Sequence, residues 1–224
     1  MPQGYETEND RIRKRLKETL TPREKLANWW FYHKFHVLIG ALALLLVFYF
    51  LLQSRGTLPA DYTVGWVGAR DLDSAAAEQI AQALAQYGED LNGDGQVWVE
   101  IHQMPMDLAA VLERGGAGNE EERANILVLE ADMSVCQSVI FLTDDPEAFW
   151  NYSGALLYLD GTEPEPEAED WENMVVAWSQ CSGLGEQPVE GALYLGCRGC
   201  WQESQRENWE QSRKLWENLL AAMN

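Results

Sequence analysis

Residues 90–95, Asp90-Leu91-Asn92-Gly93-Asp94-Gly95, place oxygen-bearing side chains at the first, third and fifth positions of a run and a glycine at the sixth. This is the front half of a calcium loop. Asp90, Asn92 and Asp94 supply hard oxygen ligands, the Gln96 carbonyl the next one, and the glycine permits a sharp turn. The pattern breaks at its far end, because position twelve is Ile101 and the nearest acid, Glu100, comes one residue early in a segment patterned as a strand. The same residue types also favour a plain turn between a helix and a strand. Two expectations follow: a calcium ion held by Asp90, Asn92, Asp94, Gln96 and Glu100, or a turn that uses these residues for itself.

The four cysteines, Cys136, Cys181, Cys197 and Cys200, all lie in the C-terminal half of the chain. An even count in an exported domain predicts disulfides, with three pairings open, or else free buried thiols. Cys197-Arg198-Gly199-Cys200 also follows a strand pattern and precedes a helical one, as in thiol oxidoreductases. A helix N-terminus and Arg198 would there lower the Cys197 pKa. Against this, the 24 residues after Cys200 leave no room for the strands that a thioredoxin fold places beyond its motif. A zinc set does not assemble in the sequence, since His102 is the only histidine away from the apolar N-terminal stretch.

Other reactive patterns are sparse. Asp144 and Asp145 form an adjacent carboxylate pair, but Pro146 makes them read first as a helix cap. Of the ten tryptophans, Trp66, Trp209 and Trp216 fall on apolar faces and are expected in the core, whereas Trp98, Trp171 and Trp201 are open to either reading. No phosphate loop, zinc motif or Ser-His-Asp set is visible. A hydrolase site dispersed through the fold remains an alternative.

These residues are positioned by a chain of uneven charge. The formal net charge is −20; residues 1–35 hold eight basic and five acidic residues and so carry +3, leaving −23 for the rest. Such an acidic body repels phosphate backbones, which argues against nucleic-acid binding. Residues 37–52 (VLIGALALLLVFYFLL) carry no charge. With Phe35 and His36 they make about 18 residues, roughly 27 Å of helix, matched to the hydrocarbon thickness of a bilayer. Trp29, Trp30, Phe31 and Tyr32 precede the run at headgroup level, His33 and His36 anchor it there, and Lys34 reaches back to the same level. Eight basic residues lie before the span, and only Arg55 and Arg70 follow within twenty residues, which keeps the N-terminus in the cytoplasm. A cleaved signal peptide is the rival, but it lacks a small-x-small site after Leu52. The expected organisation is a basic cytoplasmic segment (1–34), a transmembrane helix in contact with the lipid bilayer (35–53), a linker (54–60) and an acidic extracytoplasmic domain (61–224). Within the first segment Ile12, Leu16 and Leu20 recur every four residues among basic neighbours, a membrane-surface pattern, and Thr21-Pro22-Arg23-Glu24 starts a new helix.

Beyond the span, strands and helices alternate. Residues 61–68 set Tyr62, Val64 and Trp66 against Thr63, Gly65 and Val67, as in a strand. Asp73 or Ser74 caps a helix with Ala76, Ala77, Ile80, Leu84 and Tyr87 on one stripe. Residues 96–103 set Val97, Val99 and Ile101 against Trp98, Glu100 and His102, a second strand. Residues 106–114 and 120–134 read as helices, the latter capped by Asn119, although residues 126–129 taken alone could equally be a strand. Residues 138–143 read as a strand, and Asp144-Asp145-Pro146 restarts a helix to about Tyr152. Residues 155–159 and 192–196 predict two more strands, 163–170 a solvated acidic loop, and 203–223 a closing helix with Trp209, Ser212, Trp216, Leu219, Leu220 and Met223 inward. This order predicts an α/β sandwich with a mainly parallel sheet.

The order strand, helix, strand, helix, strand over residues 61–143 resembles one lobe of the type-2 periplasmic solute-binding fold. Separately, Lys25-Leu26-Ala27-Asn28-Trp29-Trp30-Phe31-Tyr32-His33-Lys34-Phe35-His36-Val37-Leu38-Ile39 resembles the juxtamembrane signature (KLxNWWxYHKxHVLI) of uncharacterised single-span membrane proteins of Gram-positive bacteria. Their outer domains are similar in carrying a DxNxDG turn, here residues 90–95, and an FLxDDP segment, here residues 141–146. The resemblance implies no particular activity. The expectation is a membrane-anchored outer module that binds or senses a partner or ligand, with a thiol oxidoreductase using Cys197 and Cys200 as one alternative and a hydrolase as another.

Overall fold

Thr21 opens a long helix. Its N–H and its hydroxyl both donate to Glu24 Oε2 at 2.8 Å, and Glu24 N–H donates back to Thr21 Oγ1 at 3.4 Å. Pro22 occupies the first helical position, where a missing N–H costs nothing. The computed structural model describes residues 7–19, 21–54 and 59–223. After α1 (Glu8–Thr19), α2 runs unbroken over Pro22–Ser54. The boundary expected at residue 35 is therefore compositional and not a break in the helix. Leu20 of the basic stripe and residues 55–58 of the linker lie outside the described residues.

Pro22–Tyr49 is the one helix among the described residues long and apolar enough to cross a membrane. Its apolar side chains point in every direction; Leu38 is 67% and Leu44 72% exposed. A helix apolar all round has no face for water, and only lipid or protein can cover it. The chain divides into two compact units, Met1–Leu58 and Pro59–Asn224.

In the second unit β1 (Tyr62–Val67), β2 (Val99–Gln103), β3 (Ile140–Thr143), β4 (Val175–Ala177) and β5 (Tyr194–Cys197) form one sheet in the order β2-β1-β3-β5-β4. Around it lie α3 (Ser74–Ala85), α4 (Leu108–Arg114), α5 (Glu120–Val135), α6 (Pro146–Ser153) and α7 (Arg206–Ala221). The helices begin where short-range chemistry requires. Asp73, Asp107, Asn119 and Asp145 each accept the N–H three residues on, and Gly115 and Gly154 close α4 and α6 in the left-handed conformation.

The sheet is mixed, which corrects the expectation of a mainly parallel one. β1 is parallel to β2 and β3, with Val64 opposite Ile101 and Ile140. β5 runs antiparallel to β3, with Leu142 opposite Leu195, and β4 antiparallel to β5. Parallel neighbours need a crossover of a dozen or more residues, usually a helix. Helices α3, α4 and α5 supply such crossovers among the first three strands. Between β4 and β5 the chain makes only 3-10 turns, at Trp178–Gln180 and Ser182–Leu184, and returns reversed. Residues 155–159, expected as a strand, make a single bridge, Leu156 with Arg198. The three-residue β4 was not foreseen, because three residues behind the 3-10 turn Trp171–Asn173 are too few to show a strand alternation.

Both faces of the sheet are covered. Ile80 and Leu84 of α3 and Trp209, Leu215, Trp216 and Leu219 of α7 pack with Tyr62, Val64, Trp66 and Leu142. Leu108 of α4, Leu129 of α5 and Phe149 of α6 pack with Met104 and Phe141 on the other side. Gly65 lies in mid-strand because a Cβ there would stand 2.5 Å from the Phe141 ring, which lies 5.1 Å from that of Phe149.

Candidate functional site

The chain leaves β1 toward β2 on one side, while β3 pairs on the other. The segments departing from the carboxyl ends of β1 and β3 therefore diverge, and a crevice opens between them, the usual ligand position in an open α/β sheet. It has a volume of about 640 Å³ and is bordered by Arg70, Asp71, Asp73, Asp144 and Glu190 over a floor that includes Trp66.

The turn after β1 is held from three sides. Trp66 Nε1 donates to the Arg70 carbonyl at 2.9 Å, Ala69 N–H to Asp144 Oδ2 at 2.9 Å, and Leu72 N–H to Gln103 Oε1 at 2.8 Å. Gly68 is required here, since a Cβ would stand 2.4 Å from the Trp66 ring and 3.0 Å from the Asp144 carboxyl carbon. Asp144 faces the crevice, yet turn atoms crowd it. Loss of bulk water raises its carboxyl pKa, the Ala69 N–H opposes the rise, and the charges of Asp145 and Asp107 add to it. Asp145 is the helix cap, accepting from Ala148 N–H at 2.9 Å. The carboxylate pair thus divides its roles: the cap accounts for Asp145 alone, and Asp144 belongs to the crevice.

The acidic turn spends its oxygens on its own backbone. Asp90 Oδ1 accepts from Gly93 N–H at 2.6 Å and Asp94 N–H at 3.2 Å, and Oδ2 from Gly95 N–H at 2.8 Å. Asn92 Oδ1 accepts from Asp94 N–H at 3.0 Å, and Asp94 Oδ1 from Gln96 N–H at 2.8 Å. Buried Asp61 binds the N–H groups of Leu91, Asn92 and Trp98 and so roots the turn on the start of β1. Glu100 is exposed on β2, opposite Thr63. Among the described residues no group of three or more His, Cys, Asp or Glu side chains is gathered for a metal ion.

All four cysteines are free thiols. Cys197 ends β5 inside the core and Cys200 is half-buried; α7 starts only at Arg206, after a 3-10 turn at Glu203–Gln205. The motif therefore does not sit on the first turn of a helix. Burial pushes the Cys197 thiol up to about 12, and the opposing charge of Arg213 does not offset it. Burial likewise raises Cys136, against the nearby Arg198, and Cys181. Arg198 is itself fully buried, with its Nε donating to the Gly199 carbonyl at 3.2 Å and its guanidinium 4.9 Å from the Trp201 ring.

A polar group that sequence reasoning missed lies at the start of β3. Asp132, buried on α5, accepts from Ser138 N–H at 3.0 Å and from the Ser138 hydroxyl at 2.7 Å, and its Oδ2 lies 3.1 Å from His102 Nδ1. The serine hydroxyl serves the carboxylate rather than the imidazole, so these three do not form a nucleophilic triad. In the sequence Asp132 stands between Glu130 and Ser134 on a helix of mixed polarity, so nothing there marks it out.

Of the tryptophans, Trp66, Trp209 and Trp216 are core residues, as are Trp150 and Trp178, while Trp98 and Trp201 are exposed and Trp171 is half-buried. No family model, no curated protein and no solved structure matches the chain. Fold and crevice define its class by themselves: a mixed α/β domain behind one helix apolar enough to cross a membrane.

Proposed function

We propose that this chain is a membrane-anchored module whose acidic α/β domain lies outside the cytoplasm and binds or senses a small ligand bearing an ammonium or guanidinium group. The observation that carries the reading is the crevice between the carboxyl ends of β1 and β3, where the chain topology switches direction. Asp71, Asp73, Asp144 and Glu190 border it against one cation, Arg70, so its charge suits a positive group. The Ala69 to Asp144 bond and the Trp66 to Arg70 bond hold its rim in advance of any ligand. The excess of basic residues before the apolar run of α2 supports a cytoplasmic N-terminus.

Titration calorimetry on the full chain in detergent micelles tests the reading, with arginine, lysine and spermidine as cationic probes and citrate as the anionic one. Heat from a cationic probe, lost in Asp144→Asn, supports it. Binding of citrate alone, or of no probe, overturns it.

A further inference from the structure

We propose that the open edge of β2, together with the flank of α3, is a docking groove for an extended basic segment of a partner protein, which joins the sheet as a sixth strand. This stands apart from the crevice reading and rests on different residues.

β2 is the terminal strand of the sheet, and among the described residues nothing pairs with its outer side. Its phase is fixed by two bonds at its ends: the Trp98 carbonyl accepts from Tyr62 N–H at 3.3 Å, and Met104 N–H donates to the Trp66 carbonyl at 2.9 Å. Given the regular alternation of a parallel ladder, the N–H and C=O groups of Val99, Ile101 and Gln103 then point away from β1, toward the open side. Folded proteins ordinarily blunt such an edge with lysine, proline or a bulge. Residues 97–101 are Val-Trp-Val-Glu-Ile, without lysine, proline or bulge, and their single charge is the Glu100 carboxylate.

The edge is also recessed. Ala77, Ala81 and Ala85 of α3 face it across a groove of about 480 Å³, with Glu78 on the helix side and Glu100 on the strand side. Three alanines at four-residue spacing leave room for the side chains of an incoming strand, as in binding by strand addition between a sheet edge and a helix. The charges choose the occupant. A second copy pairing edge to edge would bring like acidic rims together between chains of net charge −20. A segment alternating β-branched with basic residues fits both sides. Its Val or Thr side chains would lie on the alanine floor, and its Lys or Arg side chains beside Glu100 and the 48%-exposed Trp98 ring.

The test uses the full chain in detergent micelles and a blocked eight-residue peptide alternating Val and Lys. Its control is the same peptide with every second amide N-methylated, which keeps charge and side chains but cannot complete the ladder. The expected result is slowed hydrogen exchange of residues 97–103 with the first peptide and binding about tenfold weaker or less with the second. Ala81→Lys, which fills the floor, should abolish the protection. Equal binding of both peptides would reduce the effect to charge and overturn the proposal, as would unchanged exchange. Protection that appears without peptide and grows with protein concentration would assign the edge to a second copy instead.

Discussion

Ala69 donates its backbone N–H to Asp144 Oδ2 at 2.9 Å, joining residues 75 apart in sequence at the mouth of the crevice. One carboxylate thereby fixes the turn after β1 to the turn after β3, and Asp144 borders the space between them. Asp144 is at once a structural acceptor and an exposed charge from which the turn atoms keep part of the bulk water.

That double role predicts opposite effects from two substitutions. Asp144→Asn keeps a carbonyl for the Ala69 N–H and removes the partly desolvated charge. Because crowding raises the folded-state pKa of Asp144, its ionised form disfavours folding above that pKa, and the disadvantage fades as pH falls through it toward the unfolded value. Asp144→Asn should therefore match or exceed the parent in stability at pH 7 and lose the advantage below the unfolded carboxylate range. Asp144→Ala, which removes the acceptor as well as the charge, should fall about 1 kcal/mol below Asp144→Asn at both, from the broken bond. Urea melts of the full chain at pH 7 and pH 3 measure both.

Asp132 predicts a larger loss. It is buried and holds the Ser138 N–H, the Ser138 hydroxyl and His102 Nδ1 together. Asp132→Ala leaves two buried donors of Ser138 without an acceptor and should cost about 3 kcal/mol. Ser138→Ala removes one donor cleanly and should cost about 1 kcal/mol. In the double variant the two losses should fall short of their sum, because the serine change has no acceptor left to lose. Equilibrium unfolding of the three variants checks this, and strict additivity would contradict the network.

Which of these features could be read in advance follows from the range over which each is encoded. Asp73, Asn119 and Asp145 cap helices through bonds three residues long, so their neighbours in sequence were enough to locate them. Trp66, Trp209 and Trp216 were legible as core because strand and helix periods place them among apolar residues. The reversed direction of β5 was not, since no residue within Tyr194–Cys197 encodes which way it enters the sheet; that depends on the 3-10 turns before it. Asp132 looked like a stray polar residue because its partners lie 6 and 30 positions away. Asp144 was hidden by its neighbour, a cap strong enough to explain the pair by itself.

The thiols should resist modification in a definite order. Cys197 is buried and its thiol is held up to about 12, so little thiolate forms near neutrality. Iodoacetamide at pH 8 should label half-buried Cys200 first and Cys197 only after denaturation, as read by peptide mass mapping. The same shift has a stability consequence. Above the ordinary thiol range the unfolded chain loses this proton and the folded chain keeps it, so Cys197 contributes a loss of stability as pH rises from there toward 12. Fast labelling of native Cys197 at pH 8 would return the thiol oxidoreductase reading to the front.

The acidic turn should persist without metal and open in acid. Asp90 is held below the usual carboxylate range first by the Gly95 N–H, then by those of Gly93 and Asp94. A depressed folded pKa means that its contribution is present above the unfolded value and is lost as pH falls through the folded one. The Gly93, Asp94 and Gly95 amides should thus remain protected from exchange in excess chelator at pH 7 and lose protection in acid. Asp90→Ala should remove both the protection and its pH dependence. If chelator alone exposes these amides at pH 7, the turn depends on a cation.

If the apolar run of α2 crosses a membrane as proposed, the charges on either side of it predict the direction. Moving the N-terminal segment across would carry eight basic residues with it, whereas only Arg55 and Arg70 lie close behind the apolar run. A Glu-specific protease added to intact cells should therefore cut after Glu167 and Glu169 of the acidic loop, which no proline follows, and spare Glu8, Glu18 and Glu24. After lysis all sites should become accessible, which controls for occlusion. Cleavage confined to the N-terminal glutamates in intact cells would reverse the map, and the crevice and the β2 edge would then meet cytoplasmic partners.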